Sequence, residues 1–328
     1  MRIVEQLNQS LHAVMAERSD VLFIGEDVLD PYGGAFKVSK GLSTAFPDRV
    51  ITTPISEASI VGLGTGLALQ GYRPVVEIMF GDFITLIADQ LINQASKMTW
   101  MYNQELAVPI VVRTPMGGRR GYGPTHSQTL EKHFLGVPGL TVLAASQVLD
   151  AGALLRIAIE DIDTPVLFVE NKLLYARQAI EPGELAMRKS DALVPTLTIG
   201  GDRPDFSILT YGDNLSLVLE AVAYLHEEEE LNGEILMVHQ VSPIDFEPLR
   251  ASVMTTRRVV VVEEGIGAHG WGAEVIAGLS DISLEAPPER VGARSLPIPA
   301  ARGLEEQVLP QKQDIIDAVI RTVDRYHA

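Results

Sequence analysis

The sequence predicts an α/β fold made of two domains with mainly parallel sheets, and three observations predict it. Apolar runs of strand length, such as Val21–Gly25 and Pro165–Glu170, consist almost wholly of residues that suit strands covered on both faces. Longer helical patterns, such as Gln147–Glu160, separate these runs, which is typical of parallel strands joined by helical crossovers. The same alternation begins again after a segment rich in proline and glycine, so we expect a second, smaller α/β domain.

The chain length sets the domain count. A chain of 328 residues allows two domains of ordinary size. We expect the first domain over residues 1–180, a linker that can hold an edge strand over residues 181–205, and the second domain over residues 206–328.

The individual elements follow from the periodicity of apolar residues. The first twenty residues show an amphipathic helix pattern. Further strands of the first domain are expected at Pro74–Phe80, Pro109–Arg113 and Leu140–Ala144, with a helix at Phe83–Lys97. In the second domain we expect strands at Phe206–Tyr211, Glu234–Val238 and Arg258–Glu263, and helices at Leu215–His226, Pro248–Thr255 and Ala273–Leu279.

Charge and composition exclude several classes of function. Lys and Arg total 26 and Asp and Glu total 43, which gives a net charge of −17 and disfavours binding to nucleic acid or to an anionic membrane. The most apolar stretch, Ile60–Phe80, contains four glycines and charged residues, so we expect no membrane span. The absence of cysteine excludes disulfides and thiolate chemistry, and together with the start of the chain it predicts a cytoplasmic protein.

The glycine motifs do not point to a nucleotide. The chain has no phosphate-binding G-x-x-x-x-G-K-[ST] string, and the glycines at Gly62, Gly64 and Gly66 lack the spacing and preceding strand of a dinucleotide loop. We expect these glycines to lie on a helix and to permit close packing between domains or subunits. No histidine cluster has the spacing of a zinc site.

Two residues are candidates for acid–base chemistry. His126 ends a glycine-rich loop that begins at Gly117. At this position an imidazole can face a cleft and exchange protons near neutral pH. Alternatively, it simply lies at the surface before a helix. Glu57 begins the glycine-bearing helix, where a carboxylate usually serves the helix N-terminus. In an apolar crevice between subunits, the same carboxylate would share a proton with a ligand nitrogen. Arg119 and Arg120 in the loop would meet an anionic substrate or partner, or would be solvated.

An ordered series of short motifs resembles one known family. The series is Gly25–Asp27, Gly33–Gly34, Thr53–Glu57, Val76–Phe80, Asp89–Gln90, Asn93, Arg113–Pro115, His126–Gln128, Phe134, Pro138–Leu140, Asp150, Ala158–Ile159, Asp161, Glu170–Lys172 and Tyr175, followed more weakly by Ser242–Asp245, Val259–Glu263 and Gly272–Glu274. It resembles the β subunit of the thiamine-diphosphate-dependent decarboxylating component of 2-oxoacid dehydrogenase complexes, of the pyruvate, branched-chain and acetoin type.

The resemblance implies a fold and an assembly. The first domain would be a transketolase-like pyrimidine-binding domain and the second a transketolase C-terminal domain. Thiamine diphosphate would lie between this chain and an α subunit that binds the diphosphate and magnesium, since this chain lacks the G-D-G signature. The chain would be inactive alone, and would form a heterotetramer of two α and two β subunits.

The resemblance also implies roles for particular residues. Glu57 would protonate the aminopyrimidine ring and favour its imino tautomer, Phe83 would stack on that ring, and Ile55 and Met79 would line it. His126 would face the substrate carboxylate and help pass on the acyl group. Some members hold a potassium ion through backbone carbonyls, at positions that are here Ile110, Ala158, Ile159, Asp161 and Asp163.

Three functions remain open at this point. The first is decarboxylation of a 2-oxoacid with acyl transfer to a lipoyl group on an acyltransferase. The second is a split transketolase-like carboligase or decarboxylase that has no lipoyl partner. It is suggested by Arg119 and Arg120, and by Val238–Val241, which stands where the resembled family usually has an acidic residue followed by leucine, arginine and threonine. The third is a binding or scaffolding subunit without catalysis, which the presence of both Glu57 and His126 disfavours.

Overall fold

The computed structural model describes residues 1–103, 106–181 and 183–324. These residues form two compact units, one of Met1–Met116 with His133–Ala179 and the other of Gly117–Lys132 with Ile180–Ala328. The segment 117–132 therefore belongs to the second unit, although it lies in the range 1–180 expected for the first domain. Pro182 of the expected linker and residues 325–328 of the expected second domain lie outside the described residues.

The first unit contains a parallel sheet. Within the unit its strands lie in the order β5-β6-β4-β3-β1-β2, and every neighbouring pair is parallel. The side chains of β1, β4 and β6 are buried throughout, as expected for strands covered on both faces. The strands are β1 (Val21–Gly25), β2 (Val50–Thr52), β3 (Arg73–Glu77), β4 (Val111–Met116), β5 (Thr141–Ala144) and β6 (Val166–Asn171).

The helices of the first unit are α1 (Ile3–Glu17), α2 (Leu42–Ala45), α3 (Glu57–Leu69), α4 (Ser96–Met101) and α5 (Ala151–Glu160). Helix α5 begins later than its apolar pattern because the Asp150 side chain accepts hydrogen bonds from the backbone N–H groups of Gly152 and Ala153, at 2.8 and 3.0 Å.

The prediction of one regular α-helix at Phe83–Lys97 is wrong. The chain there forms a 3₁₀ helix at Gly81–Ile87 and a π-helical stretch at Asp89–Ala95 before α4 begins. Tight packing accounts for part of this, since a Cβ atom at Gly81 would lie only 2.2 Å from Cγ of Met116. Such departures from α geometry are frequent near functional sites.

The second unit contains a six-stranded sheet in the order β13-β12-β9-β10-β8-β7. Its four strands from β13 to β10 are parallel, and β8 and β7 add an antiparallel edge that lies in the expected linker. The strands of the unit are β7 (Met187–Lys189), β8 (Leu197–Ile199), β9 (Phe206–Tyr211), β10 (Gly233–Val238), β11 (Gln240–Ser242), β12 (Val259–Ile266) and β13 (Glu289–Ala293). The two-domain, mainly parallel α/β prediction is confirmed.

The described residues of the second unit form five α-helices: α6 (Leu215–Glu229), α7 (Phe246–Thr256), α8 (Trp271–Gly278), α9 (Arg302–Val308) and α10 (Lys312–Asp324). The sequence patterns predicted α6, α7 and α8 and missed α9 and α10. Among the described residues, no helix is both long enough and apolar enough to cross a membrane.

The three glycines of α3 have different surroundings. A Cβ atom at Gly64 would lie 2.8 Å from Cδ1 of Ile110 and 2.9 Å from Cγ2 of Val76, so this glycine allows α3 to approach the sheet of its own unit. Gly62 and Gly66 are exposed, and a Cβ atom at Gly66 would meet nothing within 4 Å. The close packing expected at these glycines therefore occurs inside the first unit at Gly64, while the other two remain at the surface.

A buried histidine makes the second unit sensitive to acid. His239 follows β10, has no exposed surface, and its Nδ1 lies 2.8 Å from the backbone oxygen of Pro195. Burial lowers the pKa of His239 to about 4, although the hydrogen bond to Pro195 opposes the shift. Because an unfolded histidine titrates near pH 6.5, only the unfolded chain binds this proton between about pH 6.5 and 4.

We expect His239→Asn to reduce the acid sensitivity of folding. Asparagine can keep a donor near the Pro195 carbonyl but does not titrate. The difference in the free energy of unfolding between the unchanged protein and His239→Asn should be constant above about pH 6.5. Between that pH and about pH 4, the unchanged protein should lose about 3 kcal/mol more than the variant. Unfolding measured over this pH range checks it, with His226→Asn on the exposed side of α6 as the control. Parallel stability curves for His239→Asn and the unchanged protein would contradict the assignment.

Candidate active site

The strand order of the first unit creates a crevice at one edge of its sheet. Strand β1 has β2 on one side and β3 on the other, so the chain reverses its direction across the sheet between them. In parallel α/β sheets, ligands bind at such a switch point, outside the carboxyl ends of the strands. Glu26 follows the end of β1, and the segment from Met79 to Phe83 follows β3.

Two buried carboxylates meet at this edge. Glu57 is the first residue of α3 and is only 7% exposed, and Glu26 is 6% exposed. The carboxylate of Glu26 accepts a hydrogen bond from the backbone N–H of Ser56, immediately before Glu57. Among the described atoms, Oε1 of Glu26 is buried and has no hydrogen-bond partner.

The surroundings of Glu26 favour its protonated form. Burial and then the negative charge of Glu57 raise the pKa of Glu26, and the Ser56 N–H opposes the shift. Glu26 also offers an oxygen that lacks a hydrogen-bond partner among the described atoms, beside a second carboxyl group. A ligand with an N–H group can therefore form a new hydrogen bond here without breaking an existing one in the protein.

A buried ion-pair network holds the ends of the neighbouring strands. Arg113 on β4 is 1% exposed, pairs with Glu77 at the end of β3, and donates from Nε to Oε1 of Glu170 on β6 at 2.8 Å. The Tyr175 hydroxyl also donates to Glu170, and burial followed by the charge of Glu170 raises the pKa of Tyr175. This network fixes β3, β4 and β6 at the edge where the crevice opens.

An aromatic group lies beyond β3. The Phe83 ring is half-buried and meets the Phe80 ring edge-to-face, with centroids 5.9 Å apart. Phe80 in turn meets Phe36 at 5.6 Å. Met79 is half-buried, and Ile55 is 83% exposed. The accessible part of the Phe83 ring offers an aromatic face on which a flat heterocycle can stack.

The loop with His126 belongs to the second unit. A hydrogen bond of 3.2 Å from the Gly117 N–H to the Gln128 carbonyl closes it, and His126 is half-buried with Nδ1 3.0 Å from Oγ1 of Thr125. Arg119 donates to the Pro310 carbonyl, so its side chain is engaged within the unit. Arg120 is exposed and lies over the Tyr122 ring.

The five positions implied for potassium lie around the carboxyl end of α5 in the first unit. The carbonyls of three of them already accept hydrogen bonds: Ile110 from the N–H of Val166 at 2.9 Å, Asp163 from the N–H of Val108 at 3.0 Å, and Ile159 from Nη1 of Arg73 at 2.7 Å. Arg73 also pairs with the Asp163 side chain. A potassium ion there would share the Ile159 carbonyl with the Arg73 guanidinium, and the Ile110 and Asp163 carbonyls with backbone N–H groups.

Comparison with known proteins gives the family. Residues 1–178 match the transketolase pyrimidine-binding domain, and residues 198–315 match the transketolase C-terminal domain. A rice protein (Oryza sativa subsp. japonica) named pyruvate dehydrogenase E1 component subunit beta-1, mitochondrial, is 37% identical over 99% of this chain and 87% of its own length. The corresponding Arabidopsis thaliana protein is 38% identical, over 99% of this chain and 90% of its own, and the Saccharomyces cerevisiae subunit beta is 35% identical, over 97% and 88%.

The chain belongs to the family of pyruvate dehydrogenase E1 component β subunits. Among solved structures, a split gene transketolase described as an inactive beta4 tetramer matches with a TM-score of 0.73 and 21% identity, over 98% of each chain. That likeness concerns the fold. The family resemblance recognised in the sequence is thus confirmed, and so is the transketolase-like fold.

For this β-subunit family member, the predicted site residues fall into two groups. Glu57, Met79 and Phe83 lie at or near the crevice edge of the first unit, and Ile55 is exposed two residues before Glu57. His126 lies in the second unit. No role was predicted for Glu26 or Arg113 from the sequence. Glu26 could have been found, because an acidic residue directly after a buried strand lies at the carboxyl edge of the sheet.

The Arg113 network should contribute strongly to stability. Arg113→Met would leave Glu77 and Glu170 buried without their cation, and we expect a loss of about 3–5 kcal/mol. Arg302→Met is the matched control, because the Arg302–Glu306 pair lies on an exposed helix face and should contribute less than about 1 kcal/mol. Unfolding by urea or heat measures both. Equal losses in the two variants would show that the buried network does not brace the strand ends.

Proposed function

We propose that this chain is the β subunit of a thiamine-diphosphate-dependent 2-oxoacid dehydrogenase, which with an α subunit decarboxylates a 2-oxoacid and transfers the acyl group to a lipoyl group. The observation that carries the proposal is the buried Glu57–Glu26 pair at the switch point of a pyrimidine-binding fold. The names of the relatives favour pyruvate as the 2-oxoacid.

The residues at the crevice fit the heterocyclic half of the cofactor. Glu57 would donate its carboxyl proton to a nitrogen of the pyrimidine ring, Phe83 would stack on the ring, and Met79 and Ile55 would line it. When bound, thiamine diphosphate supplies the carbon nucleophile for the attack on the 2-oxoacid. The chain has no G-D-G string, so the diphosphate and its magnesium ion would be held by the α subunit.

Glu57 holds a proton at the pyrimidine nitrogen in this proposal. Its burial removes competing water, and a hydrogen bond to a carboxylate is stronger in such surroundings. Glu26 places a second carboxyl group beside it, and burial together with the charge of Glu57 raises the pKa of Glu26. The pair is therefore suited to lend a proton to a ligand nitrogen and to take it back.

His126 meets the substrate side of the reaction. An imidazole can donate to a carboxylate and exchange a proton during acyl transfer. The neighbouring Thr125 hydroxyl lies 3.0 Å from Nδ1 and favours one orientation of the ring.

The assembly is a heterotetramer of two α and two β subunits. The exposed stripe of Gly62, Leu63 and Gly66 on α3, together with exposed Ile55, offers an apolar contact surface. A lipoyl acyltransferase is the further partner, and potassium is an optional structural ion beside Arg73.

A cytoplasmic location is proposed from the lack of cysteine, whereas the rice and yeast relatives are named as mitochondrial.

The alternative is a split carboligase that passes the acyl group to an aldehyde. Arg119 and Arg120 suggested it, but Arg119 is bound to Pro310 within its own unit. The string Val238–Val241 remains its support. Product analysis with a lipoylated acyltransferase and with an aldehyde acceptor separates the two functions.

We expect Glu57→Gln to lower the decarboxylation rate of the assembled pair by more than about tenfold, because glutamine cannot lend the proton. The rate is measured with an artificial electron acceptor. Glu247→Gln is the matched control, since Glu247 lies in the first turn of α7 and is exposed. If a helix N-terminal charge were all that Glu57 provides, the two variants would behave alike.

His126→Gln should affect acyl transfer more than the first chemical step. We expect about a tenfold or larger loss with a lipoyl acceptor and a smaller loss with an artificial acceptor. His133→Gln, at an exposed histidine, serves as the control. An unchanged rate with the lipoyl acceptor would remove His126 from the reaction.

A further inference from the structure

The loop before His126 has an unusual backbone. Gly117, Gly121 and Gly123 have φ angles of +94°, +69° and +79°, and Arg119 has +66° although it carries a side chain. An isolated loop of this kind would adopt many conformations, because left-handed geometry is unfavourable for arginine and glycines restrict the chain little. Something outside the loop must therefore select the conformation that presents His126.

Two buried carboxylates of the second unit make that selection. Oε1 of Glu264 accepts the N–H of Gly118 at 2.7 Å. Oε1 of Glu305 accepts the N–H of Arg119 at 2.7 Å, and its Oε2 accepts the N–H of Gly121 at 3.3 Å. Hydrogen bonds from N–H groups to a carboxylate are stronger than those between neutral groups.

Packing adds to the contact with Glu305. Its helix α9 places Leu309 so close to the loop that a Cβ atom at Gly118 would lie 2.5 Å from Leu309 Cδ1. The side chain of Arg119 binds the carbonyl of Pro310, just after the helix. Glu305 itself is only 2% exposed, which is unusual for a glutamate unless its charge is matched by donors.

The path from Glu305 to His126 is short. Glu305 binds the Gly121 N–H, and two residues later the Gly123 carbonyl accepts the His126 N–H at 3.3 Å. A Cβ atom at Gly121 would lie 3.1 Å from the Ala300 carbonyl, so the chain between these points has little freedom to move. The backbone of His126 is thus held by a loop whose N–H groups at Arg119 and Gly121 donate to Glu305 on α9.

We propose that Glu305 is a positioning residue for His126: it holds the 117–128 loop in its left-handed conformation and so sets the place of the imidazole. This rests on the proposed role of His126 in acyl transfer. Glu305 acts through the backbone of the loop and does not touch the substrate.

Three variants test the proposal in the protein assembled with its α subunit. Glu305→Ala removes both acceptors, and Glu305→Gln keeps one carbonyl oxygen for the Arg119 N–H. Glu306→Ala is the control, since Glu306 is the next residue and its side chain is half exposed. Hydrogen exchange of the 117–128 amides is measured together with kcat and KM for lipoyl acylation.

The expected results differ between the variants. Glu305→Ala should speed exchange in the loop about tenfold or more and lower kcat about tenfold, with a smaller change in KM. Glu305→Gln should fall between Glu305→Ala and the unchanged protein, and Glu306→Ala should match the unchanged protein. In a His126→Gln background, Glu305→Ala should cause no further loss of kcat, because the two changes act through one group.

Two results would overturn the proposal. Unchanged exchange of the loop in both Glu305 variants would show that Glu305 does not hold it. An equal loss of kcat in the presence and absence of His126 would show a general structural role. Full activity of His126→Gln would instead refute the proposed role of His126, and the exchange data would still report whether Glu305 holds the loop.

Discussion

A pair of carboxylates that the fold buries without a full set of partners is the constraint on which the rest of this site depends. Glu26 receives one backbone donor, and its other oxygen has none among the described atoms. Placing Glu57 beside it adds repulsion between like charges, which costs free energy in an interior of low polarity. Close by, Arg113 joins Glu77 and Glu170 at the adjoining strand ends. A ligand with a basic nitrogen and an N–H group would supply the hydrogen-bond partner that the buried Oε1 of Glu26 lacks among the described residues.

The two proposed acid–base residues are supported in different ways. Glu57 lies on a helix that the close approach at Gly64 packs against its sheet, so its position follows from regular secondary structure. His126 lies on a loop, and its position follows from backbone donors captured by carboxylates on β12 and α9. A rigid acid and a loop-borne imidazole suit a reaction in which one group tunes a fixed cofactor and the other meets substrates that come and go.

Much of the fold could be predicted from the sequence because buried parallel strands have a strong signal. Val21–Gly25 and Phe206–Tyr211 have the predicted bounds, since continuous apolar runs leave little ambiguity. The irregular helical segment from Gly81 to Ala95 could not be predicted from local propensity, since tight packing of Gly81 against Met116 accounts for part of it. Helix α10 was missed although its buried residues Ile315, Ile316 and Val319 have the spacing of one helix face, so its signal was present in the sequence.

The candidate site could be predicted only in part, and the roles of its residues remain predictions. Glu57 and His126 lie in the ordered motifs and Phe83 follows from the family resemblance, whereas the residues that support them are distant in sequence. Glu305 lies 179 positions after His126, and no spacing rule connects them; the contact exists only because the loop folds onto α9. Backbone N–H groups are present in nearly every residue type, so their hydrogen bonds cannot be predicted from the residue types of the loop. Only its glycines indicate an unusual backbone conformation.

Calorimetric titration of thiamine diphosphate and magnesium tests the central claim most directly. The titration is carried out with this chain alone, with its α subunit alone, and with the two mixed. If each chain supplies half of the pocket, only the mixture binds the cofactor tightly, and Glu57→Gln weakens that binding. Tight binding of the complete cofactor by this chain alone would contradict the account.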